Sequence, residues 1–137
     1  MKSNTQSVVL DAKPEHVFEF VANPENLPKW AVGFARSIAR DRDGDGWIVE
    51  TASGPARIRY VTDAKHGVID FHISPAPSLE ITAYSRVVPN GEGAEYLFLQ
   101  HQTPGMPDDV FVGQIEALRE ELVVLRSIFK AQRACRS

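Results

Sequence analysis

Cysteine is almost absent from this chain of 137 residues, in which Cys135 is the single thiol. One cysteine cannot form an intramolecular disulfide, so no disulfide framework supports the fold and nothing marks an oxidising compartment. A chain of this length needs no such crosslink, because it can bury roughly two thirds of its unfolded surface on folding. We therefore expect one domain spanning residues 1–137, located in a reducing cytoplasm.

Long apolar runs and an excess of positive charge are also missing. The first apolar run, Val8-Val9-Leu10, is too short for a signal-peptide core or a membrane span. The formal net charge is −3, which provides no basic face to neutralise phosphates. We expect a protein that does not span a membrane and does not bind nucleic acid.

Two short helical segments follow the first predicted strand, which covers residues 6–12. Pro14 is well placed as the first residue of a helix, and apolar side chains recur at helical spacing within residues 16–22. Asn23 can then cap a second helix, which has a proline at its first position and must bend at Pro28. The sequence predicts two short helices joined at a tight corner.

From residue 33 to residue 103 the hydrophobic pattern changes to period two. Turn residues recur at intervals of about 8–12 residues, which is typical of consecutive antiparallel strands. Ile69 and Phe71, for example, alternate with Asp70 and His72, so one face of the sheet is apolar and the other is polar. The further strands are predicted at 34–40, 47–52, 56–62, 68–74, 79–88 and 95–102. With the first strand they form a seven-stranded antiparallel sheet whose apolar face needs a cover.

A long C-terminal helix supplies this cover. We predict Asp108 as its N-cap, and Lys130 and Arg133 suit the negative end of the helix dipole. Apolar side chains recur three or four positions apart along a stripe of about five turns. The stripe consists of Phe111, Ile115, Leu118, Leu122, Leu125 and Phe129. The predicted fold class is therefore α+β, with a curved antiparallel sheet wrapped around one long helix.

Residues 12–30, AKPEHVFEFVANPENLPKW, resemble the opening helix pair of the START/Bet v 1-like (SRPBCC) superfamily, in particular its polyketide cyclase/dehydrase-like branch. The order of short helices, meander and closing helix resembles the helix-grip fold of that superfamily over nearly the whole chain. The resemblance implies an internal cavity for lipids, sterols, polyketides, hormones or other apolar molecules. It implies no reaction, because the superfamily includes carriers, sensors, cyclases, aromatases and co-chaperones.

Residues 41–48, DRDGDGWI, match the first part of an EF-hand calcium loop, with oxygen ligands at alternate positions and a glycine for the turn. The twelfth position is Ala52, where an EF-hand has a bidentate carboxylate. The flanking segments are predicted strands, where an EF-hand has helices. A hairpin turn rich in Asp and Gly explains the same residues, so we expect no metal site and no cofactor.

Imidazole titrates near neutrality, so four residues could serve as general acids or bases: His16, His66, His72 and His101. None of them pairs with a nucleophile or a carboxylate in a recognisable motif. If the turn at residues 64–65 is tight, Asp70 faces Arg59 and His72 faces Arg57 on the polar face of the sheet. We interpret this group as a solvated charge cluster, and no catalytic residue is assigned.

Aromatic walls with a few polar groups are what a largely apolar ligand requires. The residues that we predict to line the cavity are Trp30, Tyr60, Phe71, Ser85, Phe98, Gln100, Leu118 and Leu122. Any one of them could equally be an ordinary core residue, and Gln100 points inward only if Tyr96 and Phe98 do. The leading hypothesis is that a small hydrophobic or amphipathic molecule binds between the sheet and the long helix. One alternative is a cyclase- or dehydratase-type enzyme that acts on a polyketide-like or other apolar substrate and uses Tyr60 or Gln100.

A second alternative is a protein-interaction domain. Four apolar residues of the long helix lie off its main stripe: Val110, Val112, Val124 and Ile128. They could form a second apolar strip for a homodimer or another protein, or they could widen the face that covers the core.

Overall fold

The computed structural model describes the backbone of residues 1–136 and the side chains of residues 1–130. Its strands are β1 (Ser3–Leu10), β2 (Ser37–Arg40), β3 (Trp47–Thr51), β4 (Gly54–Asp63), β5 (Val68–Ala76), β6 (Leu79–Asn90) and β7 (Gly93–His101). Its α-helices are α1 (Pro14–Ala22), α2 (Leu27–Trp30) and α3 (Asp108–Arg136), and a single 3-10 turn, Pro24–Asn26, precedes α2. Arg133 and Cys135 lie outside the described side chains.

All seven strands belong to one antiparallel sheet with the order β1-β7-β6-β5-β4-β3-β2. The two short helices come between β1 and β2, and α3 closes the chain. The predicted α+β helix-grip fold is confirmed. Because β1 crosses over to pair with β7, the first and last strands lie side by side at one edge.

The alternation predicted for the strands is present in the structure. Ile58 and Ile69 are 1% and 0% exposed on the inner face, whereas Arg57 and Arg59 of β4 are exposed on the outer face. On the last strand Tyr96 is 0% exposed and belongs to the inner face. One face of the sheet thus forms the hydrophobic core, as a half-buried antiparallel sheet requires.

Helix α3 covers this face and packs most closely against β1 and α2. Its buried stripe consists of Phe111, Leu118, Leu122, Leu125 and Phe129, while Ile115 is half-buried. Gln6 of β1 donates a hydrogen bond from Nε2 to the backbone oxygen of Ile115 at 2.9 Å. Helix α3 therefore packs most closely at the β1 edge of the sheet.

The beginning of α3 differs from the prediction. Phe111 N donates to Pro107 O at 3.1 Å, so the helical hydrogen bonds begin at the carbonyl of Pro107. Asp108 is the first helical residue, and its Oδ1 accepts a hydrogen bond from Gln102 Nε2 at 2.7 Å. The prediction of Asp108 as N-cap was wrong, because the helix begins one residue earlier than expected, with the carbonyl of Pro107 accepting its first hydrogen bond.

Several boundaries differ from their predicted positions by a few residues, and three of these differences have a clear physical reason. Strand β1 begins at Ser3, not at residue 6, because it stays paired with β7 as far as His101. Residues 34–36 are not a strand, since Phe34 N and Ala35 N both donate to the carbonyl of Ala31. The break between the short helices precedes Leu27, because the following proline is tolerated in the first turn of α2.

The register between β4 and β5 is shifted by two residues from the predicted one. Arg59 lies opposite His72, and Val61 lies opposite Asp70. The connecting loop contains four residues, 64–67, and Gly67 adopts a φ of 70°. The predicted facing pairs were wrong because they assumed a tight two-residue turn at 64–65.

Of the four apolar residues of α3 that lie off its main stripe, only two are exposed. Val124 and Ile128 pack against the core, so they widen the buried face of the helix. Val110 and Val112 are 44% and 52% exposed. Among the described residues, no helix has the length and apolar character needed to cross a bilayer.

Candidate functional site

A continuous string of aromatic rings lies between the sheet and the helices. Tyr60 on β4 meets Phe71 on β5 edge-on, with ring centroids 4.9 Å apart, and Phe71 stacks on Phe98 of β7 at 5.7 Å. Phe98 then contacts Tyr96 at 6.3 Å, and Tyr96 contacts Trp30 of α2 at 6.0 Å. The strand register produces this arrangement, because Tyr60 and Phe71 are direct cross-strand partners on the inner face. An apolar, ring-lined region is the surface that a largely hydrophobic ligand needs.

Three of these five side chains carry buried polar atoms without a hydrogen-bond partner among the described residues. They are Trp30 Nε1, Tyr60 OH and Tyr96 OH. Burial raises the pKa of both tyrosines well above the usual value, so their hydroxyls stay protonated and remain donors. Leaving a polar group buried and unpaired costs about 1–3 kcal/mol, and such groups are rare in native proteins. All three are therefore suited to donate to a polar atom of a bound molecule.

Ser85 of β6 lies beside Phe98 and contributes a hydroxyl to the same region. Its Oγ donates to the backbone oxygen of Ile69 on the neighbouring strand, and its side chain is buried. The Tyr96 hydroxyl is near this serine, and their interaction partly offsets the effect of burial on the pKa of Tyr96. The two hydroxyl groups do not meet the distance and angle of a well-formed hydrogen bond. Because the single Ser85 proton is already used, its oxygen is left as an acceptor.

The remaining residues predicted to line the cavity occupy two other parts of the interior. Leu118 and Leu122 are 3% and 4% exposed on the covering face of α3. Gln100 is half-buried, and its Oε1 accepts a hydrogen bond from Asn4 Nδ2 of β1 at 2.9 Å. The aromatic residues and Ser85 are thus brought together, while Gln100 is tied to the β1 edge. Whether these residues contact a ligand stays a prediction.

Glu121 is a buried titratable residue that the sequence analysis did not select. It is 7% exposed, and its Oε2 accepts a hydrogen bond from Gly33 N at 3.1 Å, which connects α3 to the segment after α2. Burial raises the pKa of this carboxyl to about 7. A signal was present in the sequence, because position 121 is three residues after Leu118 and four before Leu125, within the apolar stripe.

Residues 41–46 of the EF-hand-like segment form the connection between β2 and β3, and Asp41 Oδ1 accepts a hydrogen bond from Asp43 N at 3.0 Å. This is the predicted hairpin turn. Among the described residues, no group of three or more His, Cys, Asp and Glu side chains is arranged to hold a metal ion.

Residues 1–118 match a family model described as polyketide cyclase/dehydrase and lipid transport. The chain belongs to this family. No curated protein matches the sequence. Family and fold together indicate a domain of the hydrophobic ligand-binding or polyketide cyclase type.

Solved structures share the fold of this polyketide cyclase/dehydrase and lipid transport domain at low sequence identity. The protein XoxI from Bacillus cereus has a TM-score of 0.78 and 18% identity, with 97% of this chain and 99% of that chain covered. A START superfamily protein from Mycobacterium smegmatis has a TM-score of 0.70 and 14% identity over 95% of this chain and 98% of that chain. The di-domain aromatase/cyclase BexL from the BE-7585A biosynthetic pathway has a TM-score of 0.73 and 18% identity over 93% of this chain and 46% of that chain.

Proposed function

We propose that the interior between the sheet and α3 binds one small hydrophobic or amphipathic molecule. The observation that carries this proposal is the aromatic string in which Trp30, Tyr60 and Tyr96 hold unpaired polar atoms. Burying apolar ligand surface against the rings supplies affinity at roughly 25 cal/mol per Å², before the costs of ordering the ligand. Membership of a family described as including lipid transport supports the same kind of ligand.

The polar atoms give the ligand a preferred orientation. The two tyrosine hydroxyls and the indole N–H are donors, so the ligand should present hydrogen-bond acceptors such as carbonyl or ether oxygens to them. The Ser85 oxygen can accept one hydrogen bond from a hydroxyl of the ligand. A pure hydrocarbon would leave all three donors unpaired, at about 1–3 kcal/mol each.

Native mass spectrometry of protein purified gently from its own host tests this proposal. The intact mass is compared before and after denaturation, for the wild-type chain and for Tyr60→Phe, Tyr96→Phe and Tyr84→Phe. Tyr84 is the matched control, because it is 44% exposed and contacts His101. We expect a discrete releasable mass in the wild type and in Tyr84→Phe, and lower occupancy in the two interior variants. No releasable mass, or equal occupancy in all three variants, would contradict the proposal.

A second candidate function is an enzyme of the cyclase or dehydratase type. Glu121 favours it, because a buried carboxyl with a pKa of about 7 can exchange a proton at neutral pH. Turnover of the compound released from the protein should then collapse in Glu121→Gln and fall in Tyr60→Phe or Gln100→Leu. Changes at His72 or Asp70, on the outer face, should leave it unaltered. If the compound is chemically unchanged after long incubation with fresh protein, turnover is excluded.

We propose one domain spanning residues 1–137 and a cytoplasmic location, on the grounds of chain length and cysteine content. A homodimer through the exposed Val110 and Val112 remains a further proposal, since only these two of the four off-stripe residues are largely exposed. Sedimentation that is independent of protein concentration, at a monomer mass, would remove the homodimer.

A further inference from the structure

The outer face of the sheet carries a cleft on the side opposite the aromatic string. Its volume is about 200 Å³, and the residues that line it are Asp41, Gly44, Asp45, Gly46, Arg57, Ile58, Arg59, His72, Ser74 and Glu80. The β2–β3 turn forms one wall, the floor is provided by β4 and β5, and Glu80 of β6 stands at the far side. Successive side chains of a strand point to opposite faces, so Arg59 and His72 lie on the outer face of the sheet, while the adjacent Tyr60 and Phe71 lie on the inner face.

The wall is held close to the floor by a glycine. A Cβ atom at Gly46 would lie 2.8 Å from the carbonyl oxygen of Ile58, so any larger residue would push the turn off β4. Asp41 N also donates to Gly46 O at 3.0 Å, which closes the turn. The wall of the cleft is thus a turn whose backbone is held against β4.

Donor groups dominate the floor. Arg59 and His72 are direct cross-strand partners, and Arg57 lies opposite Ser74 in the same register. Among the described side chains, neither the Arg59 guanidinium nor the Ser74 hydroxyl has a partner, since no ion pair or hydrogen bond engages them. Arg57 Nε lies 3.6 Å from Asp41 Oδ2, and the Arg57 side chain is 66% exposed, so it is accessible to a ligand.

Two of the three carboxylates that line the cleft are already engaged. Asp41 has a side chain that is 7% exposed, and it contacts Arg57 and accepts from Asp43 N. Glu80 Oε1 lies 3.4 Å from Nδ1 of His72. The same nitrogen is 3.0 Å from Thr82 Oγ1, and the imidazole is 21% exposed, so the ring is fixed with its other nitrogen available. The carboxylate that remains without a partner is Asp45, on the β2–β3 turn.

We propose that this outer cleft is a binding site for a small oxyanion, a phosphate or carboxylate group, and that it is separate from the interior site. Guanidinium groups present planar pairs of N–H donors that match both kinds of oxyanion, and the Ser74 hydroxyl adds a further donor. Nε2 of His72 adds another in the tautomer in which Nδ1 accepts from Thr82 Oγ1. The anion bridges Arg57 and Arg59 on β4 to Ser74 and His72 on β5. Asp45 limits the total negative charge that the cleft accepts.

Titration of the full chain with inorganic phosphate and, separately, with acetate tests the proposal, using ¹H–¹⁵N NMR spectra at constant ionic strength. We expect saturable shifts confined to residues 41–46, 57–59 and 72–74. Arg59→Gln should weaken binding about tenfold or more, because it removes a charge-assisted donor pair. Arg86→Gln is the matched control, since Arg86 is an exposed arginine of β6 outside the cleft. Its affinity should equal that of the wild type.

Two further variants keep the test informative if Arg59→Gln fails to fold. Ser74→Ala should weaken binding several-fold, and Asp45→Asn should tighten it, because it removes a repulsive charge. Saturation by phosphate alone would assign a phosphorylated ligand, and saturation by acetate as well would assign a carboxylate. The proposal would be overturned by chemical-shift changes that do not saturate or that spread over the whole surface. It would also be overturned if Arg59→Gln and Arg86→Gln weakened binding equally.

Discussion

At the scale of single residues, Glu121 is unusual because it is a charged residue at a buried position within the apolar stripe of α3. Its carboxyl is buried beside the segment after α2, where Gly33 N donates to Oε2 at 3.1 Å and Phe34 N contributes a further hydrogen bond. Burial raises its pKa from the ordinary value of 4.5 to about 7, so the protonated form is favoured in the folded protein. The folded state therefore holds a proton that the unfolded chain releases at lower pH.

This shift predicts that the free energy of unfolding falls as the pH rises. Stability is at its maximum below pH 4.5 for this group, and it is lost as the pH rises through about 7. The loss between pH 4 and pH 8 is on the order of 3 kcal/mol. Glu121→Gln keeps an acceptor for Gly33 and should remove this part of the slope, which urea unfolding at a series of pH values measures. Glu116→Gln, at an exposed position of the same helix, is the control and should follow the wild type.

Gly67 is a second residue whose identity is determined by its place in the fold. Its φ is 70°, and a Cβ atom there would lie 2.1 Å from the carbonyl oxygen of Val87. We expect Gly67→Ala to destabilise the protein by about 2–4 kcal/mol, from backbone strain and a displaced hydrogen bond. Gly91→Ala is the matched control, because Gly91 has a φ of 57° with open space around it and should cost only about 1–2 kcal/mol. Equal losses in thermal or urea unfolding would show that the contact with Val87 is unimportant.

At the scale of elements, the strands that alternate strongly could be read from the sequence. In strands β4 and β5 one face is more buried than the other, so apolar and polar residues alternate along their sequence. The start of β1 could not be read, because Ser3, Asn4 and Thr5 are polar and their pairing with β7 is purely a tertiary contact. The register of β4 against β5 depends on a loop of four residues, and loop length is not visible in alternation.

The same distinction holds for the candidate site. Strand phase was sufficient to select Tyr60, Phe71 and Phe98, because it determines which side chains face inward. That Tyr60 is left without a hydrogen-bond partner depends on the whole three-dimensional surroundings, so no pattern in the sequence could have revealed it. Glu121 was missed because only apolar residues were counted when the stripe of α3 was defined.

Helix α3 gives a prediction at this scale. Leu125 is 0% exposed in the middle of the stripe, whereas Val123 is 60% exposed two positions earlier. Leu125→Ala should destabilise the protein by about 2–5 kcal/mol through lost burial and a cavity, and Val123→Ala by about 0.5 kcal/mol or less. Urea denaturation with both variants measures the difference. Similar losses for the two would mean that α3 is not docked on the sheet through this stripe.

At the scale of the whole molecule, the proposed binding of a ligand in the interior implies a cost in stability. The sheet brings Tyr60 and Tyr96 from separate strands to one ring-lined region, and both hydroxyls are buried without a partner among the described residues. A core optimised for stability alone would have phenylalanine at these positions, because unpaired buried hydroxyls cost about 1–3 kcal/mol each. The proposed binding function would account for these unpaired donors, whereas a purely structural core would not.

Tyr96→Phe tests this trade-off, because the two interpretations predict opposite signs. If the hydroxyl exists for a ligand, ligand-free Tyr96→Phe should be more stable than the wild type by about 1–3 kcal/mol, while the occupancy seen by native mass spectrometry falls. If an internal partner satisfies the hydroxyl, the variant should instead lose about 1 kcal/mol. Calorimetry of delipidated protein measures the stability, and Tyr84→Phe, with its exposed ring, controls for removal of a hydroxyl at the surface. If the variant is more stable but releases the same mass at the same occupancy, the Tyr96 hydroxyl has no part in ligand binding.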